Sequence, residues 1–322
     1  MKFDTVIGNP PYNNDMYIDF VNLGHKLLRK DGVEILITPA KWQAKGGEKN
    51  GIFREKIVPY MKEIVYYPDT AELFDISEPA GITYYLIEKD KKFENKLIIN
   101  RCEKQYLFNN KLIRPVGLHL QNVFEPILEK VYKHIGFKPF TLDTNIEYWI
   151  SCNECKNLSD IKNDDSIIVI GSDMYGDKVV FGYYNYSLVK NVSSLNKYKV
   201  VMHFKTAKGY ATLDTTGKAL GIKKPLILGP NEITKDSFLV LKIFDSYDEA
   251  LSFQSYLNTK FARVLLYCGC CGANGNNPET WRFLAEQEKY DKIFTDDELY
   301  KEYGLTESEI NIIENTIRTD EV

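Results

Sequence analysis

An α/β fold followed by a second, irregular α+β domain is what this sequence predicts, and three observations predict it. Buried-type apolar runs alternate with helically spaced segments through the first hundred residues, the pattern of a mostly parallel sheet with helices packed on it. After Leu120 the alternation gives way to one helical stretch and then to short β-like segments rich in Tyr, Val, Gly and Asn. The chain has 322 residues, enough for two cores when one domain takes roughly 100–200 residues. We expect an α/β domain over residues 1–115 and a second domain over 116–322 that closes with a helical segment.

Each element has a local reason. Residues 3 to 8, Phe-Asp-Thr-Val-Ile-Gly, form a short apolar run that stops at Asn9-Pro10-Pro11, where two prolines forbid a continuing ladder or helix. A buried strand ending in a rigid loop is predicted. From Met16 to Leu28 the apolar residues Ile18, Val21, Leu27 and Leu28 fall near helical spacing, and Lys30-Asp31-Gly32 supplies a stop. Val33 to Thr38 reads as a second buried strand ended by Pro39, Phe53 to Met61 as a second helix, Ile64 to Tyr67 as a third strand and Gly81 to Glu88 as a fourth. Further on, Val123 to Ile135 is helical, and Asp248 to Tyr267 sets Ala250, Phe253, Leu257, Phe261 and Val264 or Leu265 on one helical side.

Composition excludes several classes. Hydrophobic residues at 44% and charged residues at 27% are those of an ordinary globular chain rather than a disordered or fibrous one. No stretch reaches the roughly 20 apolar residues of a membrane helix, and the run from Met1 to Tyr12 has neither a basic n-region nor a cleavage site, so a cytoplasmic protein with no membrane partner is expected. The net charge of −4 gives no overall electrostatic case for nucleic acid, and any DNA contact must come from a local basic face. Six cysteines are present and are expected to be reduced. Cys152-x-x-Cys155 followed by Cys268-Gly-Cys270-Cys271 lacks the spacing of a standard zinc knuckle, so no metal is expected.

Chemistry is concentrated in Asn9-Pro10-Pro11-Tyr12. Open α/β sheets bind ligands beyond the carboxyl ends of their strands, where this tetrapeptide is expected to lie. Methylating an exocyclic amine requires acceptors that hold the NH₂ with its lone pair available, and an aromatic plate that fixes the base. The side-chain oxygen of Asn9 and the carbonyl of Pro10 can be those acceptors, the prolines make the loop rigid and donor-free, and Tyr12 can supply the stacking face. The structural alternative is a plain Pro-Pro turn.

The run from Phe3 to Tyr12 resembles the catalytic motif of gamma-class adenine-specific DNA amino-methyltransferases of type II restriction-modification systems. The likeness extends to Ile37-Thr-Pro-Ala-Lys-Trp42, Phe53-Arg-Glu-Lys56, the segments Ile64 to Asp69 and Gly81 to Leu86, and downstream to Phe253–Arg263 and Asp297–Glu307. It implies a partial Rossmann-like methyltransferase sheet followed by a target-recognition domain. The implied partner is double-stranded DNA and the implied cofactor S-adenosyl-L-methionine. The implied reaction is methyl transfer to the amine of a flipped adenine, without a protein nucleophile. The resemblance places Tyr84 and Tyr85 near the flipped base, although aromatic strand residues also serve as cross-strand packing. Trp42 and the adjacent glycine-containing loop at residues 45–49 can approach DNA or stand as a solvated loop. Lys205, Lys208, Lys223, Lys224 and Arg263 can meet phosphates or remain ordinary charges.

Enzymes of that family carry a glycine loop, its strand and an acidic strand end upstream of Asn-Pro-Pro-Tyr, whereas eight residues precede Asn9 here. Asn9 and Pro10 are then expected to touch the methionine end of the cofactor alone. A partner subunit carrying the cofactor-binding half, or self-association, is expected to complete the site, because an apolar strand with an open edge invites pairing. The competing expectation is a catalytically silent DNA-recognition or specificity protein, or a truncated remnant of such an enzyme. Methylation of RNA or of protein glutamine is disfavoured by the long region after the strands.

Overall fold

The computed structural model describes residues 1–43, 48–67, 70, 74, 81–93, 95–100, 105–109, 121–142, 149–151, 153, 157–173, 177–190, 192–203, 218–269 and 278–318. It divides into two compact units, Met1–Pro126 with Cys268–Gly272, and Ile127–Tyr267 with Ala273–Val322.

In the first unit the chain runs β1 (Phe3–Gly8), α1 (Met16–Leu27), β2 (Leu28–Pro39), α2 (Glu48–Lys56), β3 (Met61–Tyr67), β4 (Ile82–Glu88), β5 (Asn95–Asn100) and β6 (Gln105–Asn109). The strands form one six-stranded sheet in the order β1-β2-β4-β3-β5-β6. Its direction corrects the expectation of a mostly parallel sheet. β1 with β2 and β3 with β5 are parallel, but β4 lies antiparallel to both β2 and β3, and β6 antiparallel to β5. Tyr67, the last residue of β3, pairs with Ile82, the first of β4. The chain thus re-enters the sheet at the edge it has just left, and a strand that does so must run back antiparallel.

A second correction concerns the helix expected over Phe53 to Met61. α2 closes at Lys56, Val58–Tyr60 is a single 3₁₀ turn and Met61 already opens β3. Pro59 has no amide hydrogen to continue an α-helical ladder. One face of the sheet is covered: Tyr17, Ile18 and Val21 of α1 and Phe53 of α2 form a core with Leu36, Ile64, Tyr66, Tyr85 and Ile87. Burying each such side chain contributes about 1.5–3 kcal/mol. Ile35, Ile37, Val65, Tyr84 and Leu86 alternate onto the other face and are half-buried.

The second unit contains two three-stranded sheets. β7 (Ser166–Ser172) and β8 (Lys178–Asn185) are joined by β11 (Glu232–Ile233), and β9 (Tyr198–His203) lies between β10 (Leu226–Leu228) and β12 (Phe238–Phe244). Trp149, Val169, Val201, Leu228 and Val240 share their core. Helix α3 (Tyr247–Asn258) starts on a reciprocal capping box between Ser246 and Glu249. Its Phe253 meets Phe140, Phe244 and Tyr290 ring to ring. Among the described residues, no helix is long and apolar enough to cross a membrane.

Candidate active site at one edge of the sheet

Residue registers bring the ends of β1 and β2 and the start of β4 to the same end of the sheet. Gly8 pairs with Leu36 near the end of β2, Pro39 pairs with Ile82, and Ile82 pairs with Tyr67. Asn9–Tyr12, the 3₁₀ turn Ala40–Gln43 and Gly81 therefore emerge side by side. Within the tetrapeptide Pro10 is buried, Tyr12 half-buried, and Asn9 and Pro11 exposed, so the amide that could accept a ligand N–H faces solvent.

Hydrogen bonds fix the neighbouring exits. Ala40 N donates to the Gly81 carbonyl at 2.9 Å, and Gly81 takes φ = 74°, a backbone that favours glycine. Trp42 Nε1 donates to Thr83 Oγ1 at 3.1 Å, Thr83 and Thr38 hydroxyls lie 3.4 Å apart, and Arg54 Nη1 donates to the Trp42 carbonyl at 2.6 Å. Asp15, between the tetrapeptide and α1, accepts from Asn50 Nδ2 at 3.3 Å and pairs with Lys41 Nζ at 3.5 Å.

Several predicted site residues occupy other places than expected. Trp42 is fully buried against Phe53, so it is a core residue rather than a DNA-facing one; the tertiary fold drapes it over Thr83. Tyr85 is also buried in the core. Burial pushes its hydroxyl well above the usual tyrosine range, and the Glu34 carboxylate adds to this. Of the tyrosine pair, Tyr84 alone keeps solvent access, stacked on Tyr67 with ring centroids 6.1 Å apart. Burial, reinforced by a hydrogen bond with Tyr67, raises the Tyr84 hydroxyl pKa. In the second unit Arg263 is buried, with Nε donating to the Leu220 carbonyl at 2.7 Å and Nη1 to that of Arg318 at 3.3 Å; its guanidinium ties chain segments together rather than facing phosphate. Lys223 and Lys224 are half-buried, and Lys224 Nζ lies 3.5 Å from Asp177. Lys205 and Lys208 lie outside the described residues, as do Cys102, Cys152, Cys155, Cys270 and Cys271. Cys268 is buried and not disulfide-bonded, and no group of potential metal ligands occurs among the described residues.

Two features had no counterpart in the sequence expectations. Asp15 is one, since its partners lie 26 and 35 positions away. The other is Glu34, fully buried on the core face of β2, with neither carboxylate oxygen hydrogen-bonded among the described residues. Burial raises its pKa to about 8. A glutamate inside the apolar run Val33 to Thr38 was the available signal.

The fold and site define an α/β domain that presents Asn-Pro-Pro-Tyr at a strand end. Residues 12–74 match the Eco57I restriction-modification methylase family. No curated protein matches the chain. Among solved structures, the chain is similar to a type I restriction-modification system methyltransferase subunit from Streptococcus thermophilus, with 18% identity over 34% of this chain and 29% of that one, TM-score 0.24. It is also similar to the type IIG restriction endonuclease BpuSI, with 10% identity over 97% of this chain and 49% of that one, TM-score 0.34. A third is the type IIL restriction-modification enzyme MmeI in complex with DNA, with 7% identity over 79% and 43%, TM-score 0.40. The chain spans less than half the length of each of these structures.

Proposed function

We propose that this chain is the catalytic and target-recognition portion of an adenine-specific DNA amino-methyltransferase of a restriction-modification system. The observation that carries the reading is Asn9-Pro10-Pro11-Tyr12 at the carboxyl end of β1, with the Asn9 amide exposed beside the end of β2 and the start of β4. Asn9 Oδ1 and the Pro10 carbonyl accept the two N–H bonds of the target amine, which directs its lone pair away from the loop. Tyr12, with Tyr84 as a second candidate plate, stacks the extruded base. Pro10 and Pro11 donate no hydrogen bond and hold the acceptors rigid before substrate arrives, so little ordering remains to be done in the transition state. Lys223 and Lys224, and Lys205 and Lys208 with them, are our candidates for phosphate contacts in the second unit.

S-adenosyl-L-methionine is the methyl donor this reading implies. The described residues do not complete a cradle for it: β1 is the last strand of its sheet, and Phe3 and Ile7 on it are 41% and 74% exposed. Asn9 and Pro10 can meet the methionine end, and we derive no step through the cofactor. The same open edge supports pairing of β1 with a strand from a partner subunit, or from a second copy, that brings the cofactor-binding half. It equally motivates the second reading, a catalytically silent DNA-recognition protein. Titrating S-adenosyl-L-methionine calorimetrically into the chain, alone and with neighbouring gene products, separates the two: binding with methylated DNA as product supports the first, and DNA binding with no cofactor affinity in any combination supports the second.

A further inference from the structure

Three residues past Tyr12, Asp15 takes a left-handed backbone, φ = 59° and ψ = 24°, a conformation that aspartate adopts more readily than most residues with a Cβ. Asp15 also stands at the N-cap of α1, where aspartate is among the best cappers, yet its side chain makes no capping hydrogen bond. The carboxylate turns instead to Lys41 Nζ at 3.5 Å, on the turn that leaves β2, and to Asn50 Nδ2 at 3.3 Å, on α2. Only 8% of Asp15 is exposed. One buried side chain thus joins the exit of the Asn9–Tyr12 loop to the two segments that flank it.

We propose that Asp15 is a positioning residue which, through Lys41 and Asn50, holds the Asn9–Tyr12 loop in the geometry that receives the target amine. The proposal deepens the methyltransferase reading and rests on it for its kinetic consequence. A residue present to start α1 would be replaced without loss by glycine, which adopts the left-handed backbone freely. A residue present for its carboxylate would not.

The test compares Asp15→Gly and Asp15→Asn in the full chain, supplied with whatever completes its cofactor side. Asp15→Gly is expected to melt cooperatively while kcat for methyl transfer falls about tenfold or more, since small misplacements of reacting groups are costly. KM for DNA should change less than about twofold, because phosphate contacts lie elsewhere. Asp15→Asn keeps an acceptor for Asn50 but loses the negative charge that pairs with Lys41, and should recover part of kcat. A second readout is independent of activity: in 3-fluorotyrosine-labelled chain, the fluorine resonance assigned by Tyr12→Phe should shift or broaden in Asp15→Gly while the others hold. Wild-type kcat together with an unmoved Tyr12 resonance in Asp15→Gly overturns the proposal. If Asp15→Gly does not fold, Asp15→Asn carries the test, and wild-type values on both readouts overturn it. Should the unsubstituted protein transfer no methyl group, the methyltransferase reading fails and the fluorine resonance still decides whether Asp15 sets the loop.

Discussion

Gly24 of α1 and the carboxyl group of Glu34 on β2 share one space: a Cβ built on Gly24 would lie 2.1 Å from Glu34 Oε1 and 2.9 Å from its Cδ. Helix propensity alone favours alanine over glycine by about 1 kcal/mol. Overpacking a filled interior costs about 1–3 kcal/mol, and here the atom in the way belongs to a fully buried side chain. Gly24→Ala should therefore lower stability, whereas the same change made on a Glu34→Ala background should be neutral or stabilising. Urea denaturation of the double-mutant cycle measures the coupling; equal effects of Gly24→Ala in both backgrounds would show that the two residues do not compete for space.

Glu34 also makes stability depend on pH. Burial raises its folded-state pKa to about 8, above the unfolded value of about 4.3. The folded chain therefore holds a proton that the unfolded chain releases first. Across the window from about pH 4.3 to about pH 8, this group lowers stability as pH rises, by at most about 1.4 kcal/mol per unit, and the effect levels off above the folded pKa. Glu34→Gln, which cannot ionise, should raise the thermal midpoint more at pH 8 than at pH 5. Equal shifts at the two pH values would mean that the carboxyl is already charged in the fold.

What the sequence made legible follows physical range. The strands at Phe3–Gly8 and Ile82–Glu88 and the helix at Met16–Leu27 were readable because apolar periodicity and proline stops act within a few residues. Strand direction was not, since nothing in Ile82–Glu88 itself says from which sheet edge the chain returns. The placing of Asn9–Tyr12 after a strand was legible for the same local reason. The pairing of Asp15 with Lys41 and Asn50 was not, because it exists only once β2 and α2 have docked. Trp42, near glycines and lysines, read as a surface loop residue until Thr83, brought alongside by β4, buried it.

Tyr12→Ala should weaken capture of an extruded adenine by about 1–3 kcal/mol, the worth of one base–aromatic stack, with a smaller change in overall DNA affinity. Tyr12→Phe and Tyr12→Trp should be tolerated. Fluorescence of 2-aminopurine at the target position reports extrusion, and an unchanged signal in Tyr12→Ala would remove Tyr12 from the role of stacking plate.

This chain alone should bind S-adenosyl-L-methionine weakly or not at all, because β1, outermost in its sheet among the described residues, leaves Phe3 and Ile7 exposed where the cofactor side would be framed. Calorimetry on a preparation shown to be monomeric by sedimentation measures this. Micromolar binding by that monomer, with methylated DNA as product, would place a cofactor loop within the chain.

Methyl transfer to adenine measures the central claim most directly. The protein, supplied with the partner or segment that completes its cofactor side, is incubated with duplex DNA and S-adenosyl-L-methionine labelled on its methyl group, and the nucleosides are separated. The account predicts label on the exocyclic amine of adenine with the unsubstituted chain, and none with Asn9→Ala despite nearly intact DNA affinity, because the amide acts mainly in the transition state. Label appearing at a near-normal rate with Asn9→Ala, or on a base other than adenine, would contradict it.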